Sequence, residues 1–212
     1  MLIISASNVK KTKKDSQSLV IARTLKNLLD DGKKKTEILD LRKYTLTPCI
    51  MCEKCVKTGK CVRGDDFNKI AKKILQHRNI VIVCPHYAGI PSKLMMFLEK
   101  LQEISYLKQC SRQKDAYPLK NAFSAVIAHG GMTDNYDELY AKNVITPLGN
   151  ALKAVGFEYL NDSITLSLTV GVKQYFEKRD KRSVCFLKES DTEKINCILK
   201  ELVTAIKNRR EQ

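Results

Sequence analysis

Asn79-Ile80-Val81-Ile82-Val83-Cys84 is an unbroken apolar run that ends at Pro85. A strand this short and this apolar on both sides of its pleat belongs at the centre of a parallel sheet covered on both faces. Its exit, Pro85-His86-Tyr87-Ala88-Gly89-Ile90-Pro91, is a turn-rich loop, and a helix is expected from about Ser92 to Leu107.

The same alternation extends in both directions. Upstream, Leu2-Ile3-Ile4-Ser5 reads as a buried strand, and Leu19 to Leu29 carries helical apolar spacing. Asp31-Gly32 ends that helix, and Thr36 to Leu41 forms a second strand. Asp65-Asp66 caps a helix through Ile70, Ala71, Ile74 and Leu75. Downstream, Ala122 to Ala128 is another central strand that exits into His129-Gly130-Gly131, and a helix follows from about Asp137 to Val155. Strand and helix thus alternate four times, which predicts a parallel sheet with helices on both faces and ligands beyond the carboxyl ends of its strands. Past Gly156 the pattern weakens. Ser163 to Leu168 is a candidate fifth strand, Ser183 to Leu187 an edge strand or part of an excursion, and Asp191 to about Asn208 a closing amphipathic helix.

At 212 residues and 43% hydrophobic content the chain suits one α/β domain, with a cysteine-rich insertion at 48–64 and a variable part from about 160. No apolar run approaches membrane-spanning length, and Met1-Leu2-Ile3-Ile4 opens as a strand rather than a signal peptide, so a soluble, cytoplasmic protein is expected. Of eight cysteines, four are clustered, while Cys84, Cys110, Cys185 and Cys197 are scattered as in a reducing compartment. The net charge of +15 calls for an anionic partner: nucleic acid, a phosphorylated cofactor or an acidic protein. The lysines are spread along the chain, as solvated helix faces require.

Two stretches carry chemistry. A strand, a hydroxyl-rich loop and a helix start is phosphate-site architecture, with Ser5, Ser7, Ser16 and Ser18 as donors, although a Ser-capped helix after an ordinary loop gives the same pattern. The loop has neither Gly-x-Gly-x-x-Gly nor a Walker lysine. The second stretch runs from Pro48 to Asp66 and holds Cys49, Cys52, Cys55 and Cys61. Such compact spacing fits an iron-sulfur cluster better than the separated Cys-x-x-Cys pairs of zinc modules, and a thiol pair or a metal-free turn stays open. Val62 stands where a ferredoxin run has proline.

These residues resemble the flavodoxin-like NAD(P)H-dependent FMN reductases, and within them the iron-sulfur flavoproteins. That subfamily carries Cys-x2-Cys-x2-Cys-x4 to 7-Cys just after the second strand; here it reads Cys49, Cys52, Cys55 and Cys61, then Val62 and Asp65-Asp66. The segment Pro85 to Leu94, with Phe97-Leu98 behind it, is similar to the family's flavin-ring loop and following helix. The likeness covers roughly residues 1 to 160. It implies a doubly wound five-stranded parallel sheet, FMN, and a homodimer or homotetramer. The phosphate loop is longer than usual and carries Lys10, Lys11, Lys13 and Lys14, so Ser16, Gln17 and Ser18 match the family's Ser-Asn-Thr only loosely. His86 stands where the family usually has an apolar residue.

The resemblance implies that Pro85, His86, Tyr87, Ala88, Gly89 and Ile90 meet the flavin ring, with Tyr87 beside it and Gly89 allowing close backbone approach. His129, Gly130 and Gly131 flank its other side. Hydride transfer to a flavin needs no protein acid or base, so no catalytic side chain is assigned. The leading expectation is an FMN oxidoreductase in which a nicotinamide cofactor or a ferredoxin-like donor reduces FMN, and a 4Fe-4S cluster carries electrons on to a small-molecule or protein acceptor. A cluster-free NAD(P)H-dependent reductase of quinones, nitro compounds or flavins is the alternative. A basic zinc module on nucleic acid is a third reading, and it lacks the aromatic interleaving that single-strand binders use.

Overall fold

The computed structural model describes residues 1–8, 16–30, 35–87, 89–110, 119, 121–130, 137–160, 169–171, 174–175, 184–185 and 189–211. Its centre is a parallel sheet of β1 (Leu2–Ser5), β2 (Glu37–Asp40), β3 (Ile80–Pro85), β4 (Phe123–Gly130) and β5 (Glu158–Tyr159), in the order β2-β1-β3-β4-β5. The apolar run at 80–84 therefore lies in the middle, hydrogen bonded to β1 on one side and β4 on the other. This is the flavodoxin-like strand order, with its switch point between β1 and β3.

Period-two alternation sends each central strand's side chains to two separate cores. Leu2, Ile4, Ile80, Ile82 and Val126 face α3 (Phe67–His77), α4 (Ser92–Cys110) and α6 (Thr146–Ala154). Met1, Ile3, Val81, Val83 and Ile127 face α1 (Gln17–Leu29) and the last helix (Glu189–Glu211) through Ile21, Leu25, Leu199 and Ile206. At about 1.5–3 kcal/mol for each large aliphatic side chain, burial on both faces is what holds the sheet closed.

The fifth position of the sheet is filled in two pieces. β5 pairs with Phe123 and Ser124, whereas β6 (Thr169–Gly171) pairs with Ala128 to Gly130 farther along the same strand. The strand expected at Ser163 to Leu168 lies outside the described residues, between these pieces. Val184–Cys185, anticipated as an edge strand or an excursion, is the latter: as β8 it pairs antiparallel with β7 (Gln174–Tyr175) in a separate hairpin. The helix expected from Asp137 is present as α5 (Asp137–Tyr140), a π-helical segment at Ala141–Ile145, and α6. Cys55–Thr58 forms the short α2, and the last helix, Glu189–Glu211, is α7.

Candidate functional site

The carboxyl ends of β1, β3 and β4 bring the predicted flavin-loop residues together. Ser5 is fully buried at the end of β1, and its Oγ has no hydrogen-bond partner among the described residues. Just beyond it, Asn8 donates from Nδ2 to Ser92 Oγ at 3.0 Å, while its buried Oδ1 has no donor among the described residues. Ser7 Oγ lies 3.2 Å from the Tyr87 hydroxyl, tying the exit of β1 to the exit of β3. Ser16 caps α1 by accepting the Leu19 N–H at 3.3 Å, and no acidic residue occupies the first turn. The positive end of the helix dipole lies there, next to Gln17 and Ser18.

Ser18 Oγ approaches His129 Nε2 at 2.8 Å inside the core. Burial pushes the His129 imidazole down to about 4, so it is neutral at physiological pH. Its carbonyl accepts the His86 N–H at 2.7 Å, and His86 Nε2 lies 3.4 Å from Asn143 Nδ2 with its ring centroid 5.3 Å from that of Tyr140. Because an amide nitrogen only donates, this orientation makes His86 Nε2 the acceptor. The π-helical segment is what aims Asn143 at it, a common use of such bulges near functional sites.

Pro85 closes β3, and Ile90 packs against the core at the foot of the following loop. Gly89 has φ +104, and a Cβ there would meet nothing within 4 Å. The loop therefore presents bare backbone to open space, as a flat ring requires for close approach. Gly130 is different: a Cβ would come within 2.3 Å of the Tyr140 hydroxyl oxygen, so Tyr140 occupies the space a side chain would need. Ala88 and Gly131 lie outside the described residues. Asn8, Tyr140 and Asn143 were missed in the sequence, where a lone asparagine gives no periodic signal.

Beyond β2 the chain turns at Leu41–Lys43, where Asp40 accepts the Arg42 N–H at 3.1 Å and pairs with the Arg42 guanidinium. The cysteine loop follows, with the left-handed residues Met51 (φ 51) and Glu53 (φ 55) on either side of Cys52. Such values cost non-glycine residues of order 1 kcal/mol each and need outside support. Glu99 of α4 accepts the Cys49 N–H at 2.9 Å, and Asn68 of α3 both accepts from Cys61 N (3.0 Å) and donates to Cys61 O (2.7 Å). Asp65, expected as a cap, does accept the Phe67 N–H at 3.1 Å; Asp66 instead accepts the Thr45 N–H at 2.8 Å.

Cys49, Cys52, Cys55 and Cys61 line one cleft, together with Arg63, Lys100 and Glu103. All four are free thiols. Burial pushes the Cys55 thiol up, and negative charge at Glu103, Cys49 and Cys61 adds to the rise. The chemistry of this donor set suits a soft metal centre. The side chains are spread around the cleft, and no three cysteine, histidine or carboxylate groups converge in metal-binding geometry among the described residues.

The sequence profile of the NADPH-dependent FMN reductases matches residues 1–141. The chain belongs to the NADPH-dependent FMN reductase family. Among curated relatives, an iron-sulfur flavoprotein of Methanocaldococcus jannaschii is 25% identical over 122 residues, 57% of this chain and 58% of that one. The match thus spans little more than half of the relative's length. An iron-sulfur flavoprotein of Archaeoglobus fulgidus is 29% identical over 156 residues, covering 73% of this chain and 71% of its own. Among solved structures, RosB with bound 8-demethyl-8-formylriboflavin-5'-phosphate superposes with a TM-score of 0.63 at 14% identity, over 96% of this chain and 75% of that one, which bears on the fold alone. FMN is the cofactor in that family's description. The orphaned Ser5 and Asn8 oxygens and the open backbone at Gly89 fit that cofactor. Among the described residues no helix is long and apolar enough to cross a membrane.

Proposed function

We propose that the chain is an FMN oxidoreductase that draws electrons from NAD(P)H or a ferredoxin-like donor and passes them through a 4Fe-4S centre on Cys49, Cys52, Cys55 and Cys61 to a small-molecule or protein acceptor. The observation that carries this reading is the shared cleft of the four thiols, held against α4, the helix that begins at the end of the Gly89 loop. Bound FMN supplies the conversion between two-electron and one-electron chemistry.

The chain's own residues bind and orient. Ser5, Ser7, Ser16, Gln17 and Ser18 offer donors and a helix terminus to the phosphate and ribityl chain. Asn8 Oδ1 accepts from a hydroxyl or an imide N–H. Pro85, His86, Tyr87, Gly89 and Ile90 would meet one side of the ring, with Tyr87 beside it and backbone amides towards its polar edge, and His129 and Gly130 would meet the other. Exposed Ile50, Met51 and Val62 beside the thiols support assembly into a homodimer or homotetramer. The free thiols suit a reducing, cytoplasmic setting.

A cluster-free NAD(P)H-dependent reductase is the second reading, and the spread of the thiols around the cleft favours it. The deciding experiment reconstitutes the FMN protein with iron and sulfide without oxygen, beside Cys52→Ala. Iron and acid-labile sulfide in the native chain, lost in the variant while FMN stays bound, support the cluster. Zinc, or no metal in either protein, selects the second reading. Failure to bind FMN at all would remove both.

A further inference from the structure

Lys100 is a lysine in the interior. Its side chain is 1% exposed and pairs with the Asp65 carboxylate, itself 4% exposed. On α4 it falls in line with Phe97 and Ile104, on a stripe otherwise given to the core. Burying two charges costs more than their attraction returns unless further hydrogen bonds complete the pair. Here they do. Asp65 Oδ2 also accepts from the Thr47 N–H at 2.8 Å and the Thr47 hydroxyl at 2.7 Å, its Oδ1 accepts from Phe67 N–H at 3.1 Å, and Lys100 Nζ lies 3.2 Å from Thr47 Oγ1. Burial alone would raise the Asp65 carboxyl, but bonds from Lys100 and Thr47 overcome it and hold it at about 2.

Position gives this network its meaning. Thr47 stands just before Cys49 and Asp65 just after Cys61, so Asp65 staples the two ends of the cysteine loop together and Lys100 fixes that staple to α4. Two turns earlier on α4, Lys93 Nζ donates to the carbonyls of Leu41, Arg42 and Tyr44, the segment leading into the loop. Lys100 also lines the thiol cleft itself.

We infer that Lys100 is a positioning residue for the cysteine loop: it locks the base of the loop through Asp65 and Thr47, and it places a desolvated positive charge in the wall of a site whose occupant would be anionic. The inference rests on the cleft being a thiolate metal site, and its two parts separate experimentally. An ammonium in low dielectric stabilises the more negative of two redox states, so its removal lowers the midpoint potential.

The test compares the native FMN protein with Lys100→Met, Lys100→Arg and Thr47→Val. Metal-free protein is alkylated with iodoacetamide and read cysteine by cysteine; protein reconstituted anaerobically with iron and sulfide is read by iron release to a chelator and by midpoint potential. Lys100→Met is expected to speed alkylation of the four loop cysteines and iron release about tenfold, and to move the potential to more negative values, with Cys84 alkylation unchanged. Lys100→Arg is expected to restore the potential most of the way. Thr47→Val, which deletes the hydroxyl at nearly constant volume, keeps the test open should Lys100→Met not fold, and is expected to shift all three readouts less in the same direction. Unchanged alkylation, release and potential in the variants of an iron-loaded protein would overturn the role and leave the cluster reading intact. Faster alkylation in a protein that takes no iron would overturn the cluster reading and keep the locking role. Neither iron nor any change in alkylation would sink both.

Discussion

The Ser18 hydroxyl and the His129 imidazole meet at 2.8 Å, which joins the first turn of α1 to the carboxyl end of β4 across the switch point of the sheet. Burial depresses the His129 pKa from 6.5 to about 4, so the ring in this contact is neutral near pH 7. The unfolded chain binds the proton first as pH falls, so stability is full above about pH 6.5, declines between there and about 4, and is level below. At 1.36 kcal/mol per pH unit the whole loss is at most about 3 kcal/mol. Urea unfolding at a series of pH values should show this slope, and His129→Gln should flatten it. An unchanged slope in the variant would assign the effect to other groups.

Gly89 at φ +104 faces open space in the loop after β3. A valine there meets two penalties of different kinds: a backbone strain of about 1–3 kcal/mol, and a side chain standing where the ring would approach. Gly89→Val is expected to weaken FMN binding at least tenfold, followed by quenching of flavin fluorescence, while the far-UV dichroism stays native. Equal affinity in the two proteins would take this loop out of the flavin site.

Much of this architecture was legible in the chain. The apolar run at 80–84 announced the central strand because a strand covered on both faces has no polar side to show, and β1, β3 and β4 lie side by side and parallel in the sheet as the alternation predicted. The cysteine loop also stood out, since thiols at such short intervals seldom serve packing alone. Lys100 was obscured because charge on an amphipathic helix usually marks its solvent face, and only its alignment with Phe97 and Ile104 hinted otherwise. Asn143 sits in a π-helical segment whose shift the regular helical period does not encode, and Tyr140 borders it. The split fifth position of the sheet was equally hidden, because two- and three-residue strands carry too little alternation to read.

Gly130 and Tyr140 form a lock-and-key pair of a structural kind, with the hydroxyl oxygen 2.3 Å from where a Cβ would sit. Gly130→Ala should cost about 1–3 kcal/mol by overpacking. In a Tyr140→Ala background the same substitution should cost far less. Thermal unfolding of the four proteins closes the cycle, with a coupling of about 1 kcal/mol or more expected. Additive effects would mean that Tyr140 is not what the glycine accommodates.

Asn68 grips Cys61 as a neighbouring strand would, accepting its N–H at 3.0 Å and donating to its carbonyl at 2.7 Å. Cys61 is the last thiol of the loop and follows Gly59, whose left-handed φ of 65 ends α2. Without the amide both peptide groups must find water, and the chain between Gly59 and Asp65 loses its hold on α3. Asn68→Ala is therefore expected to cost about 1–2 kcal/mol and, more specifically, to raise the iodoacetamide reactivity of Cys61 several-fold relative to Cys49, which keeps its own anchor on Glu99. Cys84 serves as the internal standard, because burial pushes its thiol far up and keeps it inert. Mass spectrometry of tryptic peptides over a labelling time course reads all three thiols at once. Equal acceleration of Cys49 and Cys61 would show that the loop opens as one unit, with Lys100 and Asp65 rather than Asn68 setting its order.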